Sequence, residues 1–430
     1  MSAPPHHRRR TEAERPASGS HHRRGTEAER PATSTEADRD RPASARISLG
    51  RLALADSSNY LLLLGTTLFL VVFGLVMVLS SSSIESWTDN NGFFGGFWKQ
   101  ATYAVLGVPM MLLMSRMPLI FWKRIAWPAI LLGIVLQSLV FSPLGDEAYG
   151  NRNWIAIGPF NGQPSEFVKV ALVLWLAFVL ARKRDLLVSW KHALIPVIPV
   201  AGIAIGLVFL GRDLGTVLIL ASIVFAALYF AGVRWRILLP LMILSGVAAA
   251  AAVATSSNRM RRLLSFLDPT CADYEGVCWQ PLHGTWALAN GGLFGVGLGN
   301  SVEKWDWLPA ASNDYIFAIV GEELGLVGAV VLLLMFVLLA VALLRVIRSS
   351  TDPFVRIATG AVLMWLIGQA FVNIGVVLRV FPVLGVPLPF ISAGGTALIT
   401  SLMAVGIVLS FARHEARRAS LVQQGRGTLR

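Results

Sequence analysis

Between Gly297 and Gly325 the chain reads GLGNSVEKWDWLPAASNDYIFAIVGEELG, which packs Glu303, Lys304, Asp306, Asp314, Glu322 and Glu323 into otherwise apolar surroundings. Residues 315–344 then form an apolar run long enough to cross a bilayer. Charges at the mouth of a membrane helix are costly unless paired, hydrated or used, so the cluster marks a functional site. Asp314 stands where the polar loop meets the apolar run and is the candidate reactive carboxylate. Desolvation at a low-dielectric rim raises a carboxylate pKa and a helix dipole lowers it; the balance can leave a base poised to accept a proton from a hydroxyl. Ser312-Asn313-Asp314 also reads as a helix-capping sequence, and capping is compatible with chemistry. Glu322 and Glu323 lie about two turns further in, where pairing with Arg or Lys of a neighbouring helix gives them a structural role.

Other charges fall in or beside apolar runs. Lys169, in PSEFVKVALVL, has Glu166 three residues earlier, so it either closes an ion pair within a helix or faces a cavity and neutralises a diphosphate. Asp213, in GRDLGT, interrupts two apolar runs and is expected at the same cavity, with Asn373 and Arg379 completing the polar set. Arg259, Arg261 and Arg262 open a long polar stretch, where they bind an anion such as a lipid phosphate or snorkel to the interface. Cys271 and Cys278 lie in that stretch, on the oxidising side; a disulfide is the main reading and two free thiols the alternative. Zinc is disfavoured, since His283 is the only nearby further ligand. NGGLFGVGLGN (290–300) lacks the strand-before, helix-after setting of a nucleotide loop; it and PVLGVPLPFISAGG (382–395) are expected to fold back at membrane depth over a cavity.

The elements that must position these residues are membrane helices. Of 430 residues 55% are hydrophobic and 14% charged, with mean hydropathy +0.62, which indicates an all-α polytopic membrane protein. Ten apolar segments are expected near 60–80, 101–117, 125–143, 166–182, 193–210, 216–233, 237–255, 315–344, 355–378 and 395–412. Lys and Arg cluster after the second, fourth, sixth, eighth and tenth, which puts both termini in the cytoplasm and residues 256–314, between the seventh and eighth spans, outside. The net charge of +12 lies largely in short loops and tails, as for ends facing anionic lipid, and not in a nucleic-acid-binding patch. No cleavable signal peptide is expected, because the first apolar run begins near Tyr60. Three regions follow: a basic tail 1–56, a membrane domain 57–415 and a cytoplasmic tail 416–430. The first tail repeats HHRRRTEAERPA (6–17) as HHRRGTEAERPA (21–32) and reads as a disordered tether, its His pairs solvated in preference to metal-bound.

Taken together, the 297–325 stretch, GNRNWIAIG with QPSEFVK (150–169), DLGT (213–216), RLLSFLDP (262–269), Trp279-Gln280 and FPVLGVPLPFISAGGT (381–396) resemble the SEDS family of shape, elongation, division and sporulation proteins. The resemblance covers about 57–415, and Asn-Ser-x-x-Lys at 300–304 resembles the division branch. It implies ten spans and a peptidoglycan glycosyltransferase that polymerises lipid II at the septum, working in the membrane with a class B penicillin-binding protein and other division proteins. It also implies Asp314 as the catalytic aspartate, and substrate contacts from Lys169, Arg261 or Arg262, Asp213, Gln280, Lys304 and Asp306. Ser312-Asn313, Pro309-Ala310, Gly211-Arg212 and His283-Gly284 depart from the family pattern. A divalent cation, Mg or Mn, is the one cofactor this chemistry accommodates, with no ligand set named. The rival readings are a lipid II flippase, with Asp314 gating a transit path, and a non-catalytic division scaffold.

Overall fold

Apolar runs bounded by Pro, Gly and basic residues become helices at all ten expected places. The structure, a computed structural model, describes residues 58–88, 92–148, 151–157, 160–268, 271 and 273–427, all within one packed unit. The repeat and the His pairs of the amino tail lie outside the described residues.

The elements are α1 (Ser58–Ser81), α2 (Ser83–Thr88), α3 (Gly95–Met114), α4 (Leu119–Leu139), β1 (Gly145–Ala148), β2 (Asn151–Ile157), β3 (Phe160–Gly162), α5 (Pro164–Arg182) and α6 (Trp190–Leu210). There follow α7 (Leu214–Phe230), α8 (Trp235–Ala254), α9 (Ser257–Leu267), α10 (Trp279–Gly291), α11 (Ile316–Ser349), α12 (Pro353–Val377) and α13 (Gly395–Gly427). Among the described residues eight helices are long and apolar enough to span a bilayer. The other two expected spans are also helical: α7 is shorter, at 17 residues, and α3 carries Lys99 and Gln100 near its start, which lowers its hydropathy. The chain is a multi-pass membrane protein.

The 144–165 connection folds into an antiparallel sheet in the order β1-β2-β3, with Gly145 opposite Ile155 and Ile155 opposite Gly162. The long 256–314 connection contains α9 and α10. At the other end of the chain α13 runs past residue 415 without a break, because ARHEARRASLVQQ is rich in helix formers; the expected tail at 416 begins as more helix.

The core lies around α5. It is apolar on every side, as a helix enclosed by others must be, and 83% of its apolar window is buried, against 11% for α8. Trp175 and Leu172 are fully enclosed there. In α8 only Leu238 and Ala252 are buried, so the rest of that helix faces the surroundings. α12 completes the core and passes through one π-helical turn at Met364–Gly368. Such a turn shifts the side chains beyond it relative to a regular helix, and here it brings Trp365 and Gln369 against Lys169.

Candidate active site

Asp314 is held by its backbone. Three consecutive carbonyls each accept a hydrogen bond: Ser312 from Ala393 N at 2.9 Å, Asn313 from Ser392 Oγ at 2.7 Å and Asp314 from Asn373 Nδ2 at 2.7 Å. Two of those donors come from the irregular 381–394 segment, whose own carbonyls are satisfied in turn. Val386 O accepts from Asn373 Nδ2, Pro387 O from Gln369 Nε2 and Ser392 O from Gln100 Nε2. Non-helical backbone in a membrane domain requires such internal partners. Val386, Leu388, Phe390 and Ile391 anchor the segment in the core.

The Asp314 carboxylate itself accepts no hydrogen bond from a described residue. The expected cap is therefore corrected: α11 begins after Tyr315 without a side-chain cap. A methyl group added at Gly385 would lie 3.5 Å from Asp314 Oδ2, so the 381–394 segment passes directly beside the acid. Burial pushes the Asp314 pKa up to about 6; the negative Asp213 adds to the rise and the Arg262 guanidinium opposes it.

Arg262 and Arg379 line a narrow cleft with Ser265, Phe266, Pro281 and Phe381. Its wall includes Pro382 and Val383, and Asp314 meets the same segment two residues further on. Of the arginine pair, only Arg262 faces this cleft; Arg261 is turned away and donates to Asn258 Oδ1 at 2.6 Å. Cys271 and Cys278 form a disulfide between α9 and α10, and Arg379 reaches Cys271 Sγ at 3.6 Å.

Asp213 caps α7 and accepts from Thr216 N, Thr216 Oγ1, Asn153 Nδ2 and Gln163 Nε2. Its oxygens are thus occupied, and it acts on Asp314 through its charge. The small sheet earns its place by carrying Asn153.

Four expected substrate contacts have internal partners or stand away from the cleft. Lys169 is 2% exposed; it pairs with Glu166 at 2.7 Å, donates to Gln369 Oε1 at 3.2 Å and lies 5.0 Å from the Trp365 ring centroid. Lys304 is buried, donating to Gly299 O at 2.6 Å and pairing with Glu323 at 3.3 Å. Gln280 Nε2 is tied to Pro309 O at 2.9 Å and so braces the loop. Asp306 occupies an exposed turn at φ 65° and lines no part of the cleft.

Glu322 and Glu323 are fully enclosed at a break in α11. Gly325 has φ 67° and ψ −166°, a conformation open to glycine, which frees backbone groups on either side. The Gly-rich loop pairs with them: Val296 N donates to Glu322 O, Gly297 N to Glu323 O, and Leu326 N to Gly292 O. Gly291 packs against the Gly321 carbonyl where no Cβ fits. Glu322 accepts from Asn290 Nδ2, Ser301 Oγ and Val302 N, and Glu323 from Ser80 Oγ and Lys304 Nζ. The basic partner comes from a loop and not from a neighbouring helix.

Sequence reasoning missed Glu85, which accepts from Ser312 Oγ, and the buried His283–Glu303 pair at 2.6 Å. Burial raises the Glu303 pKa, opposed by His283. The length of their separation in sequence hid both. Among the described residues no group of three or more His, Cys, Asp and Glu side chains gathers to hold a metal. Asp213 has no free oxygen to add to Asp314, so the chemistry of this donor set does not fit a protein-held divalent cation.

The sequence model of a family described as cell cycle protein, comprising FtsW, RodA and SpoVE, matches residues 60–417. A probable peptidoglycan glycosyltransferase FtsW of Mycobacterium tuberculosis is 37% identical over 392 residues, covering 91% of this chain and 75% of the relative. Another, from Geobacter metallireducens, is 36% identical over 365 residues, covering 84% and 96%. Among solved structures, a peptidoglycan synthase complex that coordinates polymerization and crosslinking aligns with TM-score 0.67 at 26% identity, over 82% of this chain and 97% of that one. The rod shape determining protein RodA of Thermus thermophilus aligns with TM-score 0.61 at 26% identity, over 82% and 96%. From residue 60 to residue 417, then, this chain belongs to the FtsW/RodA/SpoVE family of cell cycle proteins.

Proposed function

We propose that the chain is a peptidoglycan glycosyltransferase that polymerises lipid II on the extracytoplasmic side, with Asp314 as general base. Relatives 36–37% identical over most of this chain bear the glycosyltransferase name. The observation that carries the residue assignment is the Asp314 carboxylate, immobilised through its backbone yet unclaimed by any donor among the described residues, within the electrostatic reach of Arg262.

At neutral pH an acid of pKa about 6 is mostly ionised and basic enough to share a proton. Asp314 accepts the proton of the 4-hydroxyl of the acceptor's terminal GlcNAc. The hydroxyl oxygen bonds to the anomeric carbon of the donor MurNAc as the bond to the diphosphate oxygen breaks, with inversion. Undecaprenyl pyrophosphate leaves as an anion, so no general acid is required, unlike the carboxylate pair of a hydrolase. Arg262 and Arg379 stabilise the charge gathering on the leaving group.

The arginine cleft holds ≈ 20 Å³, little more than one water. Admitting a diphosphate requires α9 to move away from the 376–383 wall. That motion is inexpensive, because none of the residues of α9 is fully buried. A partner that holds α9 away would therefore switch the enzyme on. The crosslinking function named for the solved relative points to a class B penicillin-binding protein as that partner. Basic clusters at alternate connections support cytoplasmic termini, and the division-type relatives support a septal location.

Purified protein with lipid II, with and without the transpeptidase partner, tests this reading. Glycan polymer is the expected product, made faster with the partner. Transfer of fluorescent lipid II between leaflets without polymer would replace the enzyme with a flippase.

A further inference from the structure

The end of the bundle opposite Asp314 carries a second cavity, which the transferase reading does not use. α5 has 19 residues, so its two ends stand about 27 Å apart at 1.5 Å per residue. Its first residues adjoin Gln163, which bonds Asp213; its last, Arg182, lines a cavity of ≈ 540 Å³ with residues of α4 and the start of α12. Ile120, Trp127, Phe178 and Phe354 form its apolar walls, and Lys123, Arg124 and Arg182 face one carboxylate, Asp352.

That carboxylate is already matched. Lys123 Nζ lies 2.7 Å from Asp352 Oδ2. Asp352 also caps α12 through Phe354 N. Arg124 has no hydrogen-bond or ion-pair partner among the described residues. Arg182 lies over the Phe178 ring, its guanidinium carbon 5.2 Å from the centroid. A snorkelling arginine would extend away from the apolar wall; this one lies along it, inside the cavity. Two unmatched guanidinium groups therefore share an apolar-walled space, next to helix faces that expose Ile120 and Trp127.

We propose that this cavity binds one anionic phospholipid of the adjoining leaflet, its phosphate gripped by Arg124 and Arg182 and its acyl chains laid along Ile120 and Trp127. Guanidinium forks match phosphate oxygens in pairs, and basic pockets between membrane helices select anionic head groups. The amphipathic lining favours a lipid over a soluble phosphate, for which the apolar walls would have no use. The inference is independent of the transferase reading and survives its failure.

Native mass spectrometry of the delipidated full-length protein, titrated with phosphatidylglycerol and with phosphatidylcholine, tests it. Arg124→Gln with Arg182→Gln should weaken phosphatidylglycerol binding about 25-fold, roughly fivefold per charge, and weaken phosphatidylcholine binding less than about fivefold, because its choline cation offsets its phosphate. Arg116→Gln with Arg356→Gln removes the same charge from exposed positions and should change neither more than about twofold. Equal losses in both pairs, no loss in the first, or equally effective competition by glycerol phosphate would each overturn the site. Should the first pair fail to fold, the wild-type protein decides alone. A phosphatidylglycerol carrying a photoreactive head group should crosslink within 120–127, 178–182 or 352–354, and labelling confined to other segments would overturn the proposal.

Discussion

Two sets of carboxylates eight residues apart have opposite circumstances. Glu322 and Glu323 are fully enclosed and receive hydrogen bonds from side chains and backbone on three sides. Asp314 has the backbone around it pinned at three consecutive carbonyls, while its carboxylate accepts no hydrogen bond from a described residue. The same functional group thus serves as cement in one place and, under the proposed mechanism, as a reagent in the other. The difference lies in who claims the oxygens. A buried acid with both oxygens engaged holds a loop to a helix; an acid whose position is fixed by other atoms leaves its own oxygens available.

The largest expected effect is on turnover. Asp314→Asn preserves shape and removes the base, and should lower lipid II polymerisation by about 10²–10⁴-fold with the fold intact, as read by gel analysis of glycan chains and by thermal unfolding. An Asn variant with near-normal turnover would erase the contrast between the two sets.

Lys169 offers a sharper break. Lys169→Met leaves Glu166 buried without its cation and should cost about 3–5 kcal/mol of stability. Lys169→Met with Glu166→Gln removes both charges and should recover most of the loss, in unfolding temperature and in turnover alike. A stable double variant that stays inactive would return Lys169 to the diphosphate.

Glu322→Ala strands Asn290, Ser301 and the Val302 amide, at a cost of about 3 kcal/mol. Turnover should fall only in proportion to the folded fraction. A fully folded Glu322→Ala protein without activity would place that acid in the chemistry.

The smallest effect concerns Asp314 and stability. Its pKa is raised on folding, from 3.8 to about 6, so the native state favours the protonated acid. Ionising it costs nothing below pH about 4 and a full penalty above pH about 6, on the order of 2–3 kcal/mol. Asp314→Asn should therefore stabilise the protein at pH 7.5 and not at pH 4, by thermal unfolding in detergent. Equal effects at both pH values would mean that the carboxylate is not strained by burial.

Most of the fold was legible because membrane helices announce themselves by length and apolarity: all ten segments are helical, and the largest miss is the last helix, which runs on to Gly427 past its expected end at 412. Asp314, Asp213, Arg262 and the cysteine pair could be singled out because polar residues in an apolar chain are few. What could not be read was which charges neutralise each other. Lys169 and Glu166 are close in sequence, but their other partners, Gln369 and Thr400, are more than 190 residues away. The π turn that brings Gln369 to Lys169 has no signature in MWLIG. Ser312-Asn313-Asp314 suggested a cap because its composition fits one; the donors that fix its carbonyls come from 373, 392 and 393, distant in sequence. The Gly-rich loop suggested a fold-back, and the helix break at Gly325 that receives it emerged only in three dimensions.

The pH dependence of lipid II polymerisation in three proteins tests the central claim most directly. Wild-type activity should rise with an acid limb near pH 6. Asp213→Asn keeps a capping side chain but removes a negative neighbour, and should move the limb to lower pH; Arg262→Gln removes the opposing cation and should move it higher. A limb that stays in place in both variants would show that the titrating base is some group other than Asp314.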